Sequence, residues 1–234
     1  MSSFSIGQMN QFGDALEAVG GNAKHLTRLG QSPTVLENLL KVLDGEATFQ
    51  VNHIVEPVAT AFERNEHGHV VLTFAGLDLA GAAEVDRLQK AGFRVSDWAK
   101  SCLLSTKKDG YDKHHRLESG REYKVALMPG KEIGSDRERT TANLRKRGME
   151  HYGYGKPFAG LVPRIRETLS DKQMEELGIW YAAALHDPIS DSDGDPGVLR
   201  ADRGGDGSWV GAGWGGPGNQ WGDDGAFAFP LLAS

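Results

Sequence analysis

The chain has 234 residues, 39% of them hydrophobic and 25% charged, with a formal net charge of −6. That length and composition suit a folded protein with a real core and exclude wholesale disorder. The negative balance excludes a protein that is chiefly a duplex-binding polycation. From Asp187 onward there are eight aspartates, no glutamate, and only Arg200 and Arg203 to oppose them, so the acidity belongs to the C-terminal region. Cys102 is the sole cysteine, which rules out an internal disulfide and suggests a reducing compartment. The N-terminus has neither a basic segment nor a continuous apolar one, and no run approaches the length of a membrane span. A cytoplasmic protein away from membranes is expected.

Residues 1–45 read as a three-helix module. Ser5 caps a helix whose apolar positions are Ile6, Met9, Phe12, Leu16 and Val19. Asn22 caps a second that stops at Gly30. Ser32, Pro33 and Gly45 bracket a third. That third helix carries Val35, Leu36, Leu39, Leu40, Val42 and Leu43, which is too apolar for a helix that reads a DNA groove. From Glu46 the pattern changes. "ATFQVNHIV" and "HVVLTFAGL" look like strands, "AGAAEVDRLQKAG" and "VSDWAKSCLLST" like helices with Gly92 and Ser96 as end signals. "KKDGYDKHHRLESG" reads as a loop, and "REYKVALMPG" as a buried strand. The stretch 135–178 reads as mostly helical, with a capping box at Ser170 and Gln173. The remaining residues read as short strands, "IWYAAALHD", "GVLRADR", "SWVGAGW" and "AFAFPLL", joined by Asp/Gly/Pro turns in an antiparallel meander.

The expected fold is therefore α+β: an N-terminal three-helix module, a central mixed α/β segment, and a C-terminal antiparallel sheet packed on helices. The corresponding domains are 1–45 and 46–234, with a sub-boundary near 134.

"REYKVALMPGKEI", "RTTANLRKRGMEHYGYGKPFAGLVPRI", "LHDPISDSDGDPGVLRADR" and "DGSWVGAGWGGPGNQWGDDGAFAFPLL" carry a resemblance. Together they make the second half similar to an uncharacterised bacterial family of the candidate-phylum type. In that family a short helical module often comes first. The resemblance supports the domain reading. It implies no activity, so no functional residue is carried over.

Five features compete for a functional role. Asp191, Asp193, Asp195 and Asp202 fall at positions 1, 3, 5 and 12 of a calcium loop. Position 6 is however Pro196, where such a loop needs glycine, so turn formation is the stronger reading. His67 with His69, and His114 with His115, are two pairs that could share a zinc or iron ion, although no spacing forces them together. Trp209, Trp214 and Trp221 lie in glycine-rich strand and could present rings to a ligand, or fill the core. Strand alternation sends Trp209 and Trp214 to opposite faces, while Phe227 and Phe229 share one. Cys102, flanked by leucines on a helix, reads as a buried, inert thiol. Arg137, Arg139, Arg145, Lys146 and Arg147, with Arg164 and Arg166, could meet phosphate, or the acidic region 187–206 of the same chain.

No spacing names a catalytic residue, and no cofactor is implied beyond calcium or zinc at the positions above. The leading expectation is a soluble binding or interaction protein with a protein partner and a surface that includes Trp209, Trp214, Trp221, Arg145 and Arg147. The alternatives are a metal-dependent hydrolase built on the histidine pairs and a single-stranded nucleic-acid-binding protein.

Overall fold

The structure, a computed structural model, describes residues 5–44, 62–205 and 207–232. It divides into two compact units, Met1–Val58 and Ala59–Ser234. The predicted strand "ATFQVNHIV" lies outside the described residues.

In the first unit local capping chemistry sets the helices α1 (Ile6–Ala18), α2 (Ala23–Gly30) and α3 (Pro33–Leu43). Ser5 Oγ accepts the Gln8 N–H at 3.2 Å while Gln8 Oε1 accepts the Ser5 N–H at 2.9 Å, a reciprocal capping box. Asn22 Oδ1 accepts from Lys24 N–H at 3.0 Å, and His25 Nδ1 returns the favour to Asn22 N–H at 3.1 Å. Ser32 departs from expectation: it precedes Pro33, but its side chain makes no cap hydrogen bond. Its backbone, at φ −122° and ψ 77°, lacks the extended geometry of the other two caps. Among the residues between 5 and 44 whose side chains are described, none is buried.

The second unit is built on one eight-stranded sheet. Its strands are β1 (Val70–Ala75), β2 (Arg94–Val95), β3 (Glu122–Pro129), β4 (Tyr181–Ala183), β5 (Ile189–Ser190), β6 (Pro196–Gly204), β7 (Gly207–Trp214) and β8 (Gly225–Pro230). The spatial order is β1-β3-β8-β4-β6-β7-β2, with β5 paired to β6. β4 runs parallel to β8, and β2 parallel to β7, while the remaining pairs are antiparallel. The fold is thus α+β, but the sheet is mixed rather than an antiparallel meander. Alternation in a strand encodes which face is buried and says nothing about which neighbour it finds. β3 pairs with β8, so strands on either side of residue 134 share the sheet.

Helices α4 (Gly81–Lys90), α5 (Asp97–Leu103), α6 (Tyr111–His114), α7 (Thr141–Lys146), α8 (Leu161–Thr168) and α9 (Asp171–Glu176) complete the unit, with a π-helical turn at Arg147–His151. The expected helical stretch 135–178 is therefore broken into short pieces. One face of the sheet, through Leu72, Val125, Leu199 and Val210, packs with Leu88, Cys102, Leu161, Ile165 and Met174. The other, through Met128, Phe227, Phe229 and Tyr181, packs with Leu144, Tyr154 and Trp221. Each large apolar side chain so buried contributes about 1.5–3 kcal/mol. Among the described residues, no helix is long and apolar enough to cross a membrane.

Candidate functional site

The aspartate loop settles first. Asp191 is 7% exposed, and its Oδ1 accepts three backbone N–H groups: Asp193 at 2.9 Å, Gly194 at 3.0 Å and Asp195 at 2.9 Å. Gly194 supplies the positive φ, 100°, that closes the turn. Asp202 stands seven residues beyond Asp195 on β6, roughly 20 Å along an extended strand. The four carboxylates therefore do not converge, and the calcium arrangement is corrected to a side-chain-locked turn.

The first histidine pair belongs to a hydrogen-bonded chain at the start of β1. Asn65 Oδ1 accepts from His67 and His69 N–H, at 3.1 and 3.0 Å, and holds the "NEHGH" turn. Asn65 Nδ2 donates to the Tyr154 hydroxyl at 2.6 Å, so that hydroxyl gives its own proton to His69 Nδ1 at 2.7 Å. His69 Nε2–H then donates to Glu132 Oε1 at 2.9 Å. Tyr152 and Arg147 occupy Glu132 Oε2. Burial opposes the ionised form of Glu132, but the bonds from Tyr152, His69 and Arg147 outweigh it and lower its pKa. His69 is buried, with both ring nitrogens taken.

The second pair leads to a cleft. The loop before α6 and the loop between β4 and β5 face each other across about 560 Å³, lined by Lys107, Lys108, Asp109, His114, His115, Asp187, Pro188 and Ser190. Buried Tyr111 anchors α6, and His114 Nε2–H donates to Lys108 O at 2.9 Å, fixing the loop's return. His186, which no sequence signal marked, lies behind. It is fully buried; its Nε2 accepts the Leu199 N–H at 2.9 Å and its Nδ1–H donates to Asp187 O at 2.6 Å. Burial lowers its pKa to about 3. The His115 ring meets it edge to face, centroids 4.7 Å apart.

His115 is 4% exposed, and burial lowers its pKa to about 4, so it is neutral at pH 7. Its Nδ1 accepts the Ala159 N–H at 3.4 Å, which assigns the proton to Nε2. Nε2 has no partner among the described residues. Asp187 is bound by Arg145 at 2.7 Å and by Lys156; burial opposes its charge, but these cations hold its pKa at about 2. Asp109 accepts the Ser190 N–H at 3.0 Å and the Ser190 hydroxyl at 2.6 Å, which outweigh burial and lower its pKa. Both carboxylates of the cleft are therefore engaged, whereas the Lys108 ammonium has no ion-pair partner among the described residues.

The tryptophans separate. Trp221 is buried, correcting its place on a ligand surface: its Nε1 donates to Thr141 Oγ1 at 2.9 Å and its ring packs on Tyr181 and Phe227. Trp214 is 46% exposed at the end of β7. Trp209 lies under the Arg94 guanidinium at 5.3 Å, in a cross-strand row Tyr181–Asp202–Trp209–Arg94. In that row Asp202 Oδ1 lies 3.1 Å from Arg200 Nε, close enough to pair but not aligned as a hydrogen bond. Burial raises the Asp202 pKa to about 6 against the opposing pull of Arg200 and Arg166.

The arginine-rich segment is largely spent internally. Arg139 is buried and donates to Gly130 O, Ile133 O and Asp136. Arg145 pairs with Asp187 and Arg147 with Glu132, so the two arginines assigned to a partner surface each hold a carboxylate of this chain. The Arg145–Asp187 pair is the expected meeting of the basic segment with the acidic region. Arg166 is buried against Asp171 at 2.8 Å, and Arg164 pairs with Glu167. Cys102 is fully buried, and burial pushes its thiol up to about 12.

Among the described residues, no three of His, Cys, Asp and Glu gather as a metal site would need. Compared with known families, curated proteins and solved structures, the chain matches no family model, no curated protein and no solved structure.

Proposed function

We propose that this chain is a binding protein rather than a catalyst, and that the cleft between Lys107–His115 and Asp187–Ser190 receives a small polar ligand in the cytoplasm. The observation that carries this reading is the His115 ring, buried and neutral, with its acceptor nitrogen filled by Ala159 N–H and its donor nitrogen unpartnered. A general base needs the reverse, an acceptor nitrogen turned towards the substrate. The N-terminal helices support a second part of the role, recruitment of a protein partner. Met9, Phe12, Val19, Leu26, Val35, Leu40 and Leu43 are exposed on them, in a three-helix module too small to hold much core alone.

A thermal-shift screen of polar small molecules, followed by chemical-shift mapping of the hits, tests the reading. Hits that shift residues 107–115 and 186–190 and emerge unchanged support it. Hits that are turned over, or that map elsewhere, refute it. The metal-dependent hydrolase is disfavoured because His69 has both ring nitrogens engaged and His115 one. The single-stranded nucleic-acid reading is disfavoured because five arginines of the basic segment bind groups of this chain. Elemental analysis and salt-dependent retention on a polyanion column test those two alternatives.

A further inference from the structure

Resting on the cleft's role as a binding site, we propose that its ligand carries an oxyanion, a carboxylate or a phosphate, seated on His115 Nε2–H with Lys108 as its counter-charge. The His115 ring is 4% exposed and lines the cleft, and its Nε2–H, which no described residue accepts, is not among the fully buried polar atoms, so it opens to solvent where an acceptor can reach it. The two carboxylates of the wall are directed elsewhere: Asp109 Oδ2 to Ser190, and Asp187 to Arg145 and Lys156.

The charge balance then selects among acceptors. Lys107, Lys108, Arg145 and Lys156 surround the cleft against the two carboxylates Asp109 and Asp187. Lys107 Nζ donates to Ser192 O at 3.3 Å and its charge helps hold Asp109 ionised, which leaves Lys108 as the ammonium of the wall without an ion-pair partner among the described residues. A cationic ligand would face the Lys108 ammonium, and a neutral acceptor forgoes its attraction. An oxyanion uses both features at once, since charge-assisted hydrogen bonds are the strong ones. His115 contributes direction and Lys108 contributes charge.

The test titrates the full chain, its histidine rings labelled with 15N, with sodium phosphate, sodium acetate and, at matched ionic strength, sodium chloride. The expected result is saturable binding of phosphate or acetate, with a downfield shift of the His115 Nε2–H proton, and no saturation with chloride. Which anion binds more tightly identifies the source as phosphate-type or carboxylate-type. Lys108 is exposed, so K108Q leaves the fold intact; it is expected to weaken the anion roughly five- to tenfold. The proposal is overturned if neither oxyanion moves the His115 signal, or if K108Q binds as tightly as the parent. A neutral or cationic screening hit that occupies the cleft would then leave the binding reading standing without the oxyanion. A ring spectrum showing the proton on Nδ1 instead would overturn the binding reading itself.

Discussion

Replacing Asp191 by alanine asks whether the aspartate loop is held by its own side chain. One oxygen, Asp191 Oδ1, accepts three N–H groups at 2.9–3.0 Å, and two backbone bonds, Asp191 N–H to Asp195 O and Gly194 N–H to Asp191 O, close the same turn. A hydrogen bond to a charged acceptor contributes about 1.5–3 kcal/mol when counted alone. Here the three share one oxygen, and Asp193, Gly194 and Asp195 are exposed, so water recovers part of the loss. The expected cost of D191A is therefore about 2–3 kcal/mol, a fall in melting temperature of about 5–10 °C for a unit of this size. D191N keeps an acceptor at the same place and is expected to cost under about 1 kcal/mol. Urea denaturation of the three proteins, each with EDTA and with added calcium, is the assay. A D191A protein as stable as the parent, or a parent whose stability rises with calcium and falls with EDTA, would refute the side-chain lock.

Three further outcomes follow from the packing and the titrating groups. A Cβ placed on Gly148 would lie 2.5 Å from the Phe229 ring, which is fully buried, so G148A is expected to lose about 2–3 kcal/mol by overpacking; unchanged denaturation midpoints would show that the π-helical turn can shift aside. His115 and His186 have folded pKa values of about 4 and about 3, below the ordinary 6.5. Their contribution is present above pH 6.5 and is lost as pH falls towards 4, together about 2–4 kcal/mol by pH 5; a flat stability profile between pH 7 and 5 contradicts it. Asp202 has the opposite sign, because its folded pKa of about 6 lies above the ordinary 3.8. D202N is expected to gain up to about 3 kcal/mol at pH 8, a gain that fades as pH falls to 4, and a D202N protein less stable than the parent at pH 8 would show that the carboxylate is needed where it lies.

What could be read from the sequence was local. The cap at Ser5, the capping box at Ser170, the positive φ at Gly92 and the turn at Asp191 each involve residues within four positions of one another, and local chemistry fixes them. Strand faces were also readable: Val210 and Ala212 enter the first core, while Trp209 turns to the other face, as period two requires. Partners at long range were not. For Trp221 the sequence left a ligand surface and the core as alternatives, and Gly213 serves its burial, since a Cβ there would stand 2.9 Å from Trp221 Cη2. His186 gave no signal, because its importance comes from His115, seventy-one positions earlier, and from Leu199 on the next long strand. Glu132, Tyr152 and Tyr154 were missed for the same reason.

The choice between binding and catalysis turns on where protons sit rather than on how many histidines gather. His69 has its acceptor nitrogen filled by the Tyr154 hydroxyl, His186 by the Leu199 N–H, and His115 by the Ala159 N–H. In each case the filling donor is tied to the fold, so the tautomer is set by packing and cannot invert without breaking a bond elsewhere. Burial keeps His115 and His186 neutral at neutral pH, so these two rings give a hydrogen bond rather than take a proton. His69 and His186 already give theirs, to Glu132 and to Asp187 O. His115 alone of the three retains an ungiven N–H, and it does so in the wall of a cleft where Lys108 has no ion-pair partner among the described residues. The same burial that removes it as a base makes it a directional donor, which is the property a recognition site requires.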